Sequence, residues 1–387
     1  MQTEPITQPS IGPDFVGWLR SVAPYVHAFR NKTFVVAFPG ELVVANQLET
    51  LVHDLSLLQA MGMRIVLAYG SRPQVQEQLR LRQIEDRYSH GMRITDRSAL
   101  ECAKEAAGEL RLDIEAAFSA GLPNTPMGNS RIRIISGNFV TARPVGIVDG
   151  VDFEHTGLVR KVEADSIRQA LLGGSIVLVP PLGFSPTGEA FNLSLEDIAT
   201  SLAITLDADK LIFLCSDESM PRLENRSLAE VSEDEAEGIL AQGDLNEEAA
   251  FTLGHALRAC RGGVARAHLV PYGLDGALLL ELFTHDGVGM MLVEETLEAL
   301  RPATIDDVAA IVSLLEPLES LSEELELLEL LEADELLLSE SLSLSAGFCA
   351  MIIFGKFFRC SRSSSVKPPR PMEVKKLMAN LVFLGVS

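Results

Sequence analysis

From Lys32 onward, short apolar runs alternate with longer amphipathic stretches, the pattern of a parallel sheet covered by helices on both faces. TFVVAF, Thr33 to Phe38, predicts a buried strand. A turn at Pro39-Gly40 follows, then a helix whose apolar positions Leu48, Leu51, Val52, Leu55 and Leu58 recur at three and four, closed by Gly62. RIVLAYG, Arg64 to Gly70, predicts a second buried strand, and the turn SRPQ opens a helix carrying Val75 and Leu79. Strand ends and helix starts therefore converge on one edge of the sheet, where small anionic ligands bind.

Arg131 to Val162 reads differently, as short strands separated by Gly, Pro and Asp, and predicts an antiparallel hairpin lobe. Ser175 to Asp217 returns to strand, turn, helix and strand, with Asn192 and Ser194 ahead of a helix that carries Glu196 and Asp197 in its first turn. Ala265 to Leu292 adds a strand, a short helix, an Asp-Gly turn and a closing strand. Ahead of all this, Phe15 to Phe29 predicts an amphipathic helix outside the sheet. Leu297 to Glu319 predicts a strand start, a Thr304 N-cap with Asp306 and Asp307 behind it, and an apolar face at Val308, Ile311, Leu314 and Leu315.

Near Glu319 the chain changes character, giving way to LSEELELLELLEADELLLSESLSLS. Between Arg301 and Lys356 there is no Lys or Arg, while twelve acids lie between Asp306 and Glu340, more than half of the net charge of -22. The chain of 387 residues is too long for one core and suits two or three domains. The acidic balance argues against a nucleic-acid partner, which needs clustered Lys and Arg. Cys102, Cys215, Cys260, Cys349 and Cys360 show neither CxxC nor Cys/His ligand spacing, so no metal site is expected and a reducing cytoplasm fits. The seven histidines have no HxxH or HExxH spacing and read as isolated, exposed or packed side chains. No export signal and no membrane span is expected.

GMRITD (Gly91 to Asp96), SGNFVTARPVGIVDGVDFEHTG (Ser136 to Gly157), GEAFNLSLEDIATSLA (Gly188 to Ala203) and LLLELFTHDGVGMM (Leu278 to Met291) stand in the order and spacing of the amino acid kinase fold as N-acetylglutamate kinases use it. The chain as a whole resembles the bacterial N-acetylglutamate synthase family, in which a kinase-like domain is joined to a GNAT acetyltransferase domain. The resemblance implies an open, mainly parallel α/β sheet sandwiched by helices, followed by an incomplete α+β GNAT-type domain. Its expected divisions are an arm and helix over 1–30, an arginine-sensing kinase-like domain over 31–295, and a truncated or divergent GNAT domain over 296–387 with the Leu/Glu segment at 319–345.

The kinases of this family place a lysine and a glycine pair at the first strand-turn, to neutralise and approach phosphates. Here Ala37 and Pro39-Gly40 stand there, Glu196 replaces an aspartate, and the second turn reads Gly70, Ser71, Arg72, Pro73. Phosphoryl transfer is therefore not expected, in keeping with the synthase branch. The resemblance implies an L-arginine site at Tyr25, Glu281, Gly287 and Gly289, because a carboxylate accepts two guanidinium N–H bonds and a glycine turn offers carbonyls. It matches Arg93 and Asn192 to positions that bind substrate carboxylates in the kinases, here remnants of that site. It further implies acetyl-CoA as co-substrate, L-glutamate as acceptor in the acetyltransferase domain, no metal, and a homo-oligomer, a hexamer joined through the N-terminal helix.

A GNAT domain needs a glycine-rich turn, R/Q-x-x-G-x-G/A, for the coenzyme A pyrophosphate. From Glu319 to Ser387 the glycines are Gly347, Gly355 and Gly385, none in that pattern, and no catalytic residue is assigned. Residues 319–387 read as an altered remainder of the domain, as an interaction segment, or as a helical hairpin on the first domain. Beside the synthase, two other functions stay open: a non-catalytic arginine-binding or assembly module, and an amino acid kinase.

Overall fold

A computed structural model describes residues 13–120, 132–221 and 230–293 of the protein. The expected GNAT part over 296–387, with its Leu/Glu segment, lies outside the described residues.

In chain order the first half comprises α1 (Pro13–Phe29), β1 (Thr33–Phe38), α2 (Gly40–Val44), α3 (Leu48–Ala60), β2 (Arg64–Tyr69), α4 (Arg72–Leu81), β3 (Tyr88–Ser89), β4 (Met92–Arg93), α5 (Arg97–Ser119), β5 (Arg133–Ser136), β6 (Val140–Pro144), β7 (Ile147–Val148), β8 (Val151–Asp152) and β9 (Gly157–Val162). There follow α6 (Ala164–Leu172), β10 (Ser175–Val179), β11 (Leu182–Phe184), β12 (Ala190–Asn192), α7 (Leu195–Leu206), β13 (Lys210–Cys215), β14 (Glu230–Ser232), α8 (Glu233–Gln242), α9 (Glu247–Arg261), β15 (Arg266–Pro271), α10 (Ala277–Phe283) and β16 (Met290–Val293).

The main sheet has eight strands in the order β14-β16-β15-β13-β1-β2-β10-β5. All its pairings are parallel except β15 with β16. Parallel strands are buried on both faces, so their sequences read as unbroken apolar runs. Alternation still sorts the side chains. Val35 and Ala37 of β1 enter the core under α6, α7, α8 and α9, while Phe34, Val36 and Phe38 enter the core under α1, α3, α5 and α10. On the second face the Tyr69 hydroxyl, fully buried, donates to the Ala107 carbonyl at 2.8 Å and ties β2 to α5. Val75 and Leu79 of α4 pack on Ala99, Cys102, Ala103 and Ala106 of α5 in a third, smaller core.

The strand and helix runs expected around β1, α3, β2, α4, α7, β13, β15, α10 and β16 form as expected. Two local differences stand out. The turn at Pro39-Gly40 is followed by an extra short helix, α2, before α3. The stretch expected as a wholly antiparallel lobe is divided: β5 joins the main sheet parallel to β10, whereas β6 and β9 pair antiparallel in a separate four-stranded sheet with β11 and β12. The four-residue β5, RIIS, takes the free edge of β10, while β6 and β9 pair with each other from Val140 to Pro144.

The amphipathic helix expected near Phe15 is α1. It buries Val22 against the core and leaves Val16, Trp18 and Leu19 about half exposed. Among the described residues no helix is long and apolar enough to cross a membrane.

Candidate functional site

Connections leave β1 in opposite directions, through β2 and β10 on one side and β13 and β15 on the other, which opens a crevice at the strands' C-terminal ends. A cavity of about 100 Å3 lies there, lined by the two turns after β1 and β2 and by the starts of α4, α7 and α9. Gly40 is required where those turns meet. A Cβ on it would collide with Pro73 and Gln74, and its carbonyl accepts from Gln74 Nε2 at 2.9 Å.

Arg93 and Asn192, 99 residues apart in sequence, both line this cavity. The Arg93 side chain is buried; it pairs with Asp86 through Nη1 and donates to the Arg72 carbonyl at 3.2 Å through Nη2. Arg72 and Arg93 both lie against the Tyr88 ring, with guanidinium carbons 5.3 and 4.9 Å from its centroid. Asn192 Nδ2 donates to Thr95 Oγ1 at 3.1 Å. Thr156 Oγ1 accepts from the Thr95 amide at 3.1 Å and donates to the Arg93 carbonyl. The structure thus gathers the two expected remnants and gives each a protein partner.

Three carboxylates line the same cavity, each in the first turn of a helix: Glu41 of α2, Glu196 of α7 and Glu248 of α9. Burial pushes the Glu41 and Glu196 carboxyls up, more than the Arg72 charge pulls them down. Helix N-termini that could receive phosphates here face the protein's own acids. Ala37, at the position of the family's lysine, is fully buried and points into the core under α7. The cleft thus presents acids, beside Arg72 and Arg93, at the helix starts where a phosphate site would offer free amides.

The second expected group also comes together. Glu281 of α10 folds back on the turn before β16, where its Oε2 accepts from the Val288 and Gly289 amides, both at 2.9 Å. The turn requires glycine at both expected positions. Gly287 has φ +64° and its Cβ would lie 2.6 Å from Glu281 Oε2; a Cβ on Gly289 would collide with the Leu269 carbonyl. Glu281 Oε1 lies 2.7 Å from His268 Nδ1, and His268 Nε2 lies 2.9 Å from Lys210 Nζ.

Burial holds the His268 pKa down to about 4, and it lowers Lys210 to about 8. Burial raises Glu281, but the bonds from His268, Val288 and Gly289 outweigh it and leave the carboxyl below its ordinary value. The consistent state is an ionised Glu281 accepting from a neutral imidazole, whose other nitrogen accepts from the Lys210 ammonium. Lys210 also lies 5.2 Å from the Phe29 ring centroid, at the end of α1. Tyr25, one turn earlier, is partly buried with its ring 6.2 Å from that of Phe29, which in turn lies 6.2 Å from Phe283 of α10. The chain Tyr25, Phe29, Phe283 connects the N-terminal helix to the helix of Glu281.

Lys210 and His268 escaped the sequence reading, in which the histidines were isolated. The signal was present: Lys210 opens the buried strand KLIFLC and His268 stands among the buried residues of RAHLVP, and a polar group there requires a partner. Thr95, Thr156 and Glu41 carried no such signal. Among the described residues no group of three or more His, Cys, Asp or Glu could hold a metal ion.

The model of the Amino acid kinase family matches residues 32–271. Over 306 residues the chain is 60% identical to the amino-acid acetyltransferase of Ralstonia nicotianae, covering 79% of this chain and 68% of that one. Its fold is similar to that of N-acetylglutamate synthase from Neisseria gonorrhoeae complexed with coenzyme A and N-acetyl-glutamate, with TM-score 0.67 and 33% identity over 80% of this chain and 70% of the other. The complex of that enzyme with coenzyme A and L-arginine gives TM-score 0.69 and 32% identity over 85% and 73%. With 240 residues of the kinase fold and a relative this similar, the chain belongs to the amino acid kinase family and, within it, to the amino-acid acetyltransferases.

Proposed function

We propose that the chain is an N-acetylglutamate synthase, which transfers the acetyl group of acetyl-CoA to the amino group of L-glutamate in the first step of arginine biosynthesis and is regulated by L-arginine. The observation that carries this reading is the cleft: a kinase fold with carboxylates and a buried alanine in place of phosphate-binding groups serves as a regulatory platform, and its solved relative binds coenzyme A, N-acetyl-glutamate and L-arginine. Arginine is read at Glu281, Gly287, Gly289 and Tyr25. Glu281 keeps acceptor capacity beyond its three bonds, and the glycine turn offers carbonyls to the remaining guanidinium donors. The half-exposed Val16, Trp18 and Leu19 of α1 support assembly into a homo-oligomer, a hexamer, through that helix. Buried thiols at Cys102 and Cys215 are in keeping with a cytoplasmic setting.

A second reading, a non-catalytic arginine-binding module, is favoured by one observation: residues 319–387 contain no R/Q-x-x-G-x-G/A turn. One set of assays separates them. Release of free CoA from acetyl-CoA that depends on glutamate supports the synthase. An arginine-induced rise in melting temperature without CoA release supports the module, and ADP formation from ATP would refute both.

A further inference from the structure

A second cavity, of about 20 Å3, lies between α3, α10 and the C-terminal ends of β13 and β15. It has room for one water-sized group. Leu42, Leu51, Leu214, Leu274, Ala277 and Leu278 make most of its wall, and Asp54 of α3 lines it from within the protein. Asp54 is 8% exposed, and its carboxyl has no hydrogen bond or ion pair with any described residue. The charge it does feel is of its own sign: Asp275, in the loop before α10. Burial first, and then Asp275, push the Asp54 pKa up to about 7.

A buried carboxylate is costly unless a cation or several donors satisfy it. An occupant that satisfies the ionised Asp54 is positive, of one water's size, and content with few oxygen ligands, since beyond Asp54 the polar side chains of the lining are Gln47, Thr50 and Tyr272. A metal cation with six or more oxygen ligands does not suit such a wall. We propose that this cavity holds one ammonium-type cation, either free ammonium or the terminal group of a primary amine whose stem passes the exposed Leu274. Bound there, the cation joins α3 to α10, the helix that carries Glu281, at a place distinct from the Glu281 carboxylate itself.

The full-length chain is to be melted at pH 8, where Asp54 is ionised, in rising ammonium chloride or butylammonium chloride, with tetramethylammonium chloride holding ionic strength constant. A saturable rise in melting temperature is expected with at least one of the two, absent in Asp54→Asn. A stronger response to ammonium identifies the free ion, and a stronger response to butylammonium identifies an amine-bearing ligand. Carboxyl 13C NMR of the unmutated chain gives a second readout: at about tenfold excess over its dissociation constant, the cation lowers the Asp54 titration midpoint by about one pH unit. No saturable shift with either cation, an equal shift in Asp54→Asn, or an unmoved midpoint would overturn the proposal and leave the cavity to water.

Discussion

His268 Nδ1 and Glu281 Oε1 lie 2.7 Å apart, with side chains 2% and 4% exposed, and Lys210 stands on the far side of the imidazole. A neutral ring thus separates a buried cation from a buried anion and hydrogen-bonds to both. Removing either end leaves the other charge without its partner. Glu281→Gln is expected to cost about 3 kcal/mol of unfolding free energy in urea titrations and to abolish the arginine-induced thermal shift. Retention of the full arginine response in a folded variant would remove Glu281 from the proposed arginine site.

Acid weakens the fold through the same imidazole. His268 takes up its proton near pH 4 when folded but near 6.5 when unfolded, so between these values the unfolded chain binds more protons. The contribution is fully present above pH 6.5 and is lost as pH falls towards 4, amounting to about 3 kcal/mol. Partly buried His255, also held down to about 4, adds in the same direction. Denaturation midpoints measured between pH 7 and 4 should fall steeply, and His255→Phe should flatten part of that slope.

Gly289 and Gly287 fail in different ways. Alanine at 289 meets the Leu269 backbone, which can move only if β15 and β16 part. Alanine at 287 meets the Glu281 carboxylate and forces a left-handed backbone on a residue that disfavours it. Gly289→Ala should be the more destabilised, by about 3 kcal/mol, an overpacking cost at its upper range. Gly287→Ala should remain folded but bind arginine more weakly, which calorimetry on the two variants will compare.

In the cleft, the Arg93 and Asp86 pair holds the hairpin of β3 and β4 against α4. Arg93→Met leaves Asp86 with a partly buried, unpaired charge and should cost about 2 kcal/mol. Thr156→Val removes an acceptor for the Thr95 amide and a donor to the Arg93 carbonyl, at a cost of about 1–3 kcal/mol. Measured in guanidinium, the two changes should be less than additive, since both act on Arg93.

Restoring the family's lysine should not restore a kinase. Ala37→Lys puts an ammonium into the core between β1 and α7 while Glu41, Glu196 and Glu248 still occupy the helix starts of the cleft. Both the unmutated chain and the variant should release no ADP from ATP, and the variant should melt at a lower temperature. ADP formation by either would show that the acidic cleft handles phosphoryl groups after all.

Much of the kinase-like fold was legible in the chain because its information is local. Unbroken apolar runs such as TFVVAF and KLIFLC can be buried only on both faces, and the Ser194 cap with Glu196 and Asp197 behind it marks the start of α7. Motif order supplied the expected sites at Arg93, Asn192, Glu281, Gly287 and Gly289. Not legible were the strand partner of β5, which depends on the edge left open by β10, and the Lys210-His268-Glu281 relay, whose members lie 58 and 13 residues apart.

What the sequence determined by itself is the alternation of strand and helix and the glycine turns at the strand ends, properties of residues near one another in the chain; the missing phosphate lysine at Ala37 came from the resemblance to the kinases. Tertiary structure alone decided that Glu41, Glu196 and Glu248 share one cleft, that Glu281 is satisfied by a turn and an imidazole, and that Asp54 faces a cavity without a partner. Those facts depend on charge and hydrogen bonding between distant segments at low dielectric, and no spacing along the chain encodes which of them will meet.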